Sequence, residues 1–266
     1  MVFPVAFVAG AFTFMSQMKP LQPASQTRDS PAKDSWLRQV WPRMRTLWVA
    51  KVTGTVVSMP VFFVVYFWLL NHRFFPVTMV PLTAVDRLVG FCPETFPLYV
   101  SLWAYVVLPP MFLKNRRELG SYGLAVVGLS VIAFGFFLFW PTGVPKSEID
   151  WSQHPSVAFL KTVDASGNAC PSLHVAFAVF TAIWLECLLR EMGAGRFVRA
   201  LNWLWCVGIL YSTMAIRQHV AVDVLAGTAL GAIVVALHLR ILYGTSSRPR
   251  PRLQVQRSML PIDPEV

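Results

Sequence analysis

A chain of 266 residues that is 55% hydrophobic and only 14% charged, with a mean hydropathy of +0.54, is too apolar for a soluble domain and too long for a single anchor. A formal net charge of +10 would suit nucleic acid on a soluble basic face. Here the Lys and Arg residues fall between apolar runs, which excludes nucleic acid as the partner and assigns the charge to membrane orientation. The expected fold is an all-α, polytopic membrane helical bundle.

Residues 1–15 are apolar but lack the basic start of a signal peptide, and they lead into Lys19, Arg28 and Lys33. Crossing there would carry the basic stretch up to Arg45 outward, so a start set too far upstream or a surface-lying segment fits better than a span. Residues 17–34, rich in Pro, Ser, Gln and charge, have the composition of a solvated tail. From Trp36 to Trp48, Trp36, Leu37, Val40, Trp41 and Met44 interleave with Arg38, Arg43 and Arg45, the spacing of an interfacial helix. Residues 1–45 are therefore expected to form a cytoplasmic or interfacial segment, residues 46–243 the membrane unit, and residues 244–266 a disordered basic tail.

Six apolar runs fill the membrane unit: Val49 to Leu70, Leu98 to Leu113, Ser121 to Trp140, His174 to Leu189, Leu201 to Ile216 and Val220 to Leu239. Each approaches the length that about 30 Å of hydrocarbon demands, so six transmembrane helices are expected. Pro109-Pro110 should kink or break the second run. Gly227 and Gly231 in the last form a small-xxx-small face for close helix approach. With the N-terminus in the cytoplasm, most cations lie inside, and only Arg73, Arg87, Lys146, Lys161 and Arg217 remain outside. Both termini are then cytoplasmic, and the loops after the first, third and fifth spans face out.

Two clusters of chemistry fall on that outer side. Pro171-Ser172-Leu173-His174 opens the fourth run, placing a hydroxyl, an imidazole and exposed backbone N–H groups at a helix mouth suited to phosphate. Ser212-Thr213 closes the fifth run, and His219 and Asp223 open the sixth. If a helix begins near His219, Asp223 is its i+4 neighbour and can hold one ring nitrogen while the other stays free. Glu186 is explained by an interfacial position or by pairing with its i+4 neighbour Arg190.

These two segments resemble the second and third signature motifs of the type 2 phosphatidic acid phosphatase superfamily, six-span membrane enzymes acting on lipid phosphates. The wording around Ser172 and Thr213 is closest to the inositol phosphorylceramide synthase branch, and the resemblance covers roughly Leu98 to Leu239. It implies that His219 attacks phosphorus, that Asp223 orients it, and that His174 protonates the leaving oxygen and then activates the acceptor. Ser172 and the N–H groups opening the fourth span would hold the non-bridging oxygens, and no metal or other cofactor is implied. Two departures stand out. Thr213 occupies the place of an expected Arg, for which Arg217 could compensate, and the first motif is absent. Lys146 is preferred as the phosphate-binding cation over Lys114, which the charge count puts on the cytoplasmic side.

Several readings stay open. His174, His219 and Asp223 could be a buried polar network joining helices, Lys146 and Arg217 headgroup anchors, and Thr213 a local hydroxyl-to-backbone bond. The expected function is a metal-independent lipid phosphate phosphatase working through phosphohistidine at the extracytoplasmic face. The alternative is transfer of a phospho-headgroup to an alcohol. A haem-binding protein or carrier using His174 and His219 as ligands, or a scaffold without activity, belongs to other classes. The expected partners are a lipid phosphate and the bilayer, with the lipid, the acceptor and homo-oligomerisation left open. Cys92 and Cys170 share the outer side, where two unpaired thiols are preferred to a disulfide.

Overall fold

The computed structural model describes residues 36–163 and 167–244. The expectations for residues 1–35, including membrane insertion of residues 1–18, and for the basic tail beyond residue 244 lie outside the described residues.

Helix α1 (Trp36–Arg45) leads into α2 (Trp48–Asn71). Strand β1 (Thr78–Met79) and the short α3 (Ala84–Leu88) follow. The second apolar run is a composite of a 3-10 turn (Pro93–Thr95), α4 (Phe96–Val100), α5 (Leu102–Tyr105) and α6 (Leu108–Phe112). Next come α7 (Arg116–Phe139), β2 (Thr142–Gly143) and α8 (Pro155–Val163). Helices α9 (Leu173–Glu191), α10 (Arg196–Ala215) and α11 (Ala221–Gly244) complete the described fold.

Among the described residues, five helices are long and apolar enough to cross a membrane: Trp48–Asn71, Pro93–Phe112, Arg116–Phe139, Leu173–Glu191 and Ala221–Leu242. The all-α membrane bundle is as expected; the count of six is not reached on that criterion. The remaining helix, α10, has 20 residues but carries Arg196, Arg199 and Asn202 in its first half. Arg196 is exposed, and the other two are satisfied inside the protein. Arg199 pairs with Glu186, and the Asn202 side chain accepts from the Tyr105 hydroxyl at 2.6 Å and donates to the Ala182 carbonyl at 3.0 Å.

Helix α9 is the centre of the bundle. It is apolar on every side and buried along its length, the pattern of a helix enclosed by others, and it packs chiefly on α11 and α10. Exposed Val and Leu residues of α2, α7 and α11 form the outer surface, as expected where lipid is the solvent. Gly227 and Gly231 let α11 run against the Ser172 and Ala176 carbonyls of α9, with no room for a Cβ at either glycine. Helix α10 therefore returns from the far end of α9 to the end where α9 and α11 both begin.

The break expected at Pro109-Pro110 falls just before them, at Val106 and Val107, with both prolines in the first turn of α6, and there is a further break at Ser101. Ser101 Oγ donates to the Leu98 carbonyl at 2.6 Å and accepts from Trp205 Nε1 at 2.8 Å, a back-bond of the kind that bends helices. At the other end of this run, carbonyls left without helical partners by the ends of α1 and α6 are capped by cations. Lys51 Nζ donates to the Arg43 and Met111 carbonyls at 2.7 and 2.8 Å. Arg43 reaches the Phe112 carbonyl and Glu191. Helix α1 is thus docked on the bundle through buried cations, in addition to its interfacial pattern.

Candidate active site

The site lies at the end of the bundle where α7 terminates and α9 and α11 begin. Thr142, paired in β2 with Thr78 of β1, organises the approach to the Pro171 segment. Its N–H donates to the Gly167 carbonyl, its carbonyl accepts from Ala169 N, and its hydroxyl accepts from Cys170 N at 2.7 Å. Ser172 then caps α9, its Oγ accepting from Val175 N at 3.3 Å. Its N–H donates to the Asp223 carbonyl at 3.2 Å, which ties the mouth of α9 to the first turn of α11.

His174 stacks on the Tyr99 ring with centroids 3.8 Å apart, and Trp103 meets it edge-on. Its Nε2 lies 2.9 Å from the Tyr99 carbonyl. A carbonyl can only accept, so Nε2 carries the hydrogen and Nδ1 is the nitrogen left for proton transfer. The break between α4 and α5 is where this carbonyl is offered. The ring is therefore fixed by a segment that the motifs do not include.

His219 sits just before α11, in a turn built on Thr213, whose carbonyl accepts from both Gln218 N and His219 N. Arg217 occupies the left-handed region, at φ 59, at a cost on the order of 1 kcal/mol for a non-glycine residue. His219 Nδ1 stands 3.5 Å from Asp223 Oδ2, an ion-pair distance that is long for a hydrogen bond. Catalytic pairs commonly tighten only when substrate is bound. Asp223 is fully buried, and its Oδ2 accepts from Val220 N at 3.1 Å, so the carboxylate also caps the start of α11.

The residue that motif reasoning missed is Asp86. Its Oδ2 accepts from the Thr83 N–H and hydroxyl at 2.7 and 2.8 Å, and its Oδ1 accepts from Ala221 N at 2.7 Å. The Asp86 carbonyl accepts from Arg217 Nη1 at 3.0 Å. This buried acid on α3 clamps the turn that presents His219. Its signal in the sequence is the Thr83-to-Asp86 capping box, which marks a helix start and says nothing of the long-range partner. Asp86→Ala is expected to destabilise the protein by about 2 kcal/mol, because three donors lose their acceptor. It should also lower turnover through the relaxed turn; thermal unfolding in detergent and kinetics on the same preparation check both effects.

A cavity of about 380 Å³ opens beside His219, lined among others by Lys146, Trp151, Lys161, Asn168 and Gln218. Lys146 thus lies with His219. Lys114 pairs with Glu191 at the far end of α9, about 25 Å from His174 along the helix at 1.5 Å per residue. Lys161, to which sequence reasoning gave no role, belongs to the lining, and its Nζ donates to the Arg217 carbonyl and to Gln218 Oε1. Thr213 and Arg217 do not line this cavity. The Thr213 hydroxyl donates to the Leu210 carbonyl at 2.7 Å, the local bond foreseen as its plain alternative, and both residues shape the His219 turn. Ser172, Asp223 and His174 stand behind it, against α9 and α4.

The remaining polar residues are accounted for more simply. Glu186 is buried and paired with Arg190 as well as Arg199. His72 stacks on Trp68, His154 packs edge-on to Phe91, and His238 packs on Trp184. All four cysteines are free. Burial and then the Asp223 charge push the Cys170 thiol up to about 11, so it stays protonated at neutral pH. Among the described residues, no group of three or more His, Cys, Asp and Glu could hold a metal ion.

No curated protein and no solved structure matches the chain. Residues 118–247 match the model of the PAP2 superfamily, a stretch running from the first turn of α7 past the end of α11 and containing His174, His219 and Asp223 together with the cavity beside them. On that match residues 118–247 of this membrane protein are similar to the PAP2 superfamily.

Proposed function

We propose that this protein is an integral-membrane lipid phosphate phosphatase that passes the phosphoryl group through His219. The observation that carries this reading is the placement of His219 in a lysine-bearing cavity, with the buried Asp223 carboxylate behind its Nδ1. Asp223 faces Nδ1, so Nε2 is the nucleophile. It forms the P–N bond as the bond from phosphorus to the lipid oxygen breaks. His174 enters with a second proton on Nδ1, gives that proton to the leaving oxygen, then takes one from water at the same nitrogen as the water attacks phosphorus and the P–N bond breaks. Lys146, Lys161 and the N–H groups at the mouth of α9 balance the charge of the phosphate oxygens.

A second reading, transfer of the phosphoryl group or headgroup to an alcohol, is favoured by the size of the cavity. Its 380 Å³ equals the liquid share of about a dozen waters at about 30 Å³ each, room for a polar acceptor beside the phosphate. We take α10 as the sixth span. It returns along α9, and its 20 residues extend about 30 Å. Six spans keep both termini on one side, and the cation asymmetry supports a cytoplasmic side for them and an extracytoplasmic site.

The test is to purify the protein in detergent and follow phosphate release from a panel of lipid phosphates and diphosphates with chelator present. Turnover should survive the chelator and vanish in His219→Ala and His174→Ala; an undiminished His219→Ala enzyme would sink the reading. A new phosphodiester formed when inositol or glycerol is added would favour transfer. Lys146→Ala should lower kcat/KM about 10-fold through a weakened charge-assisted contact, whereas Lys114→Ala should leave it within about twofold at equal expression. The reverse ranking would overturn the assignment of Lys146.

A further inference from the structure

Two buried amide groups lie in the cavity wall with hydrogen atoms unused. Asn168 is 7% exposed and Gln218 6% exposed; both line the cavity with His219, and among the described residues neither Asn168 Nδ2 nor Gln218 Nε2 has a partner. Buried N–H groups are rarely left unsatisfied, and one that is asks for an explanation. Both amides are also held in place. Asn168 is bridged to Thr142 by the backbone. Gln218 is anchored through its N–H to the Thr213 carbonyl, and its Oε1 accepts from Lys161 Nζ at 3.4 Å. An ammonium can only donate, so it must face the amide oxygen, which leaves the Nε2 hydrogens without that neighbour. Gln218 is adjacent in sequence to the proposed nucleophile, and Asn168 lies four residues before the cap of α9.

A ligand that satisfies two such groups must present acceptors and no donors. The non-bridging oxygens of a phosphoryl group do this, and the two polar residues better placed by their chemistry are otherwise engaged. The Thr213 hydroxyl donates to Leu210, and Arg217 Nη1 donates to Asp86. We propose that Asn168 Nδ2 and Gln218 Nε2 are the donors to the non-bridging oxygens of the phosphoryl group that His219 takes up, with Lys161 holding Gln218 in the donating orientation. Asn168 and Gln218 are then catalytic residues and Lys161 a positioning residue that also supplies charge. This proposal rests on the phosphohistidine reading, because it needs a phosphoryl group beside His219.

The experiment uses the full chain in detergent and orthovanadate as the probe, whose trigonal form mimics phosphorus during transfer. Binding is read from the vanadate dependence of thermal unfolding, so it does not depend on knowing the lipid. Asn168→Leu and Gln218→Met are expected to weaken vanadate binding about 10- to 100-fold each, the value of a hydrogen bond to a charged group. Without vanadate Asn168→Leu should unfold at or above the wild-type temperature, since it removes an orphaned buried donor, and Gln218→Met, which also loses the long Lys161 contact, should unfold near it. The isosteric Asn168→Asp and Gln218→Glu should bind vanadate more weakly still at pH 8 and regain affinity as the pH falls and the acid is protonated. Lys161→Met should weaken vanadate binding, and Lys161→Arg should restore it in part. Wild-type vanadate affinity in Asn168→Leu and Gln218→Met, or loss of affinity only in step with loss of folding, overturns the proposal. If those variants bind normally while His219→Ala is inactive on lipid phosphate, the donors alone are misassigned. If His219→Ala turns over normally, the phosphohistidine reading falls, and this proposal with it.

Discussion

Replacing His219 with alanine is expected to lower turnover by on the order of 10⁴-fold or more, the scale on which loss of a nucleophile is felt when it acts as a unit with its partners. The bundle should survive, because the His219 ring makes no hydrogen bond through Nδ1 and lies at the start of α11, outside the helix core. Asp223→Asn separates orientation from charge. The amide keeps the acceptor for Val220 N but cannot balance an imidazolium. Turnover should fall about 10³-fold while the unfolding temperature changes little, on the precedent that a neutralised orienting carboxylate leaves geometry intact and removes rate. The measurement is single-turnover phosphate release with alkaline quenching. Wild-type protein should accumulate an acid-labile, base-stable phosphoprotein that both variants lack or form slowly. Its presence in His219→Ala would place the nucleophile elsewhere.

Gly227→Ala is expected to cost about 3 kcal/mol, at the upper end for overpacking, and to abolish activity where the protein still folds. A Cβ at Gly227 would stand under 3.0 Å from the Ser172 carbonyl, and a backbone atom at a helix cap cannot swing aside. The displacement would act on Ser172, whose N–H holds the Asp223 carbonyl, so the two halves of the site would separate together. Gly208→Ala is the milder comparison. Its Cβ would meet the Leu98 side chain, which can change rotamer, and a cost of about 1 kcal/mol is expected. Gly135→Ala, with nothing within 4 Å of the new Cβ, should be neutral or slightly stabilising, because alanine is the better helix former. Denaturation in detergent, with turnover measured on the folded fraction, ranks the three; equal behaviour of Gly227→Ala and Gly135→Ala would remove the close approach from the account.

The apolar runs, their broken second member and the Gly227 and Gly231 face were legible because hydropathy, proline chemistry and small-residue spacing act within a few residues of chain. The same holds for His174, His219 and Asp223, whose ring nitrogens and carboxylate carry their chemistry in the residue type and whose spacing puts two of them on one helical turn. Glu186 was legible through Arg190 four residues on, but its second partner, Arg199, needed the α9 to α10 turn. Lys146 was placed with His219 by counting charge across the membrane, a rule of topology that does not need coordinates.

What the tertiary structure alone decided are the contacts between residues far apart in sequence. Asp86 reaches Ala221 across 135 positions, Tyr99 reaches His174 across 75, and Lys161 meets Gln218 across 57. No local pattern encodes such pairs, because a hydrogen bond depends on where two segments are brought in space, and that is set by how α4, α9 and α11 pack. By itself the sequence determined a membrane helical bundle with a His, His and Asp set at helix mouths, since hydrophobicity and side-chain chemistry are properties of each residue. The clamp on the His219 turn, the tautomer of His174 and the two unused amides beside His219 were decided by the fold, which alone fixes distance, direction and burial.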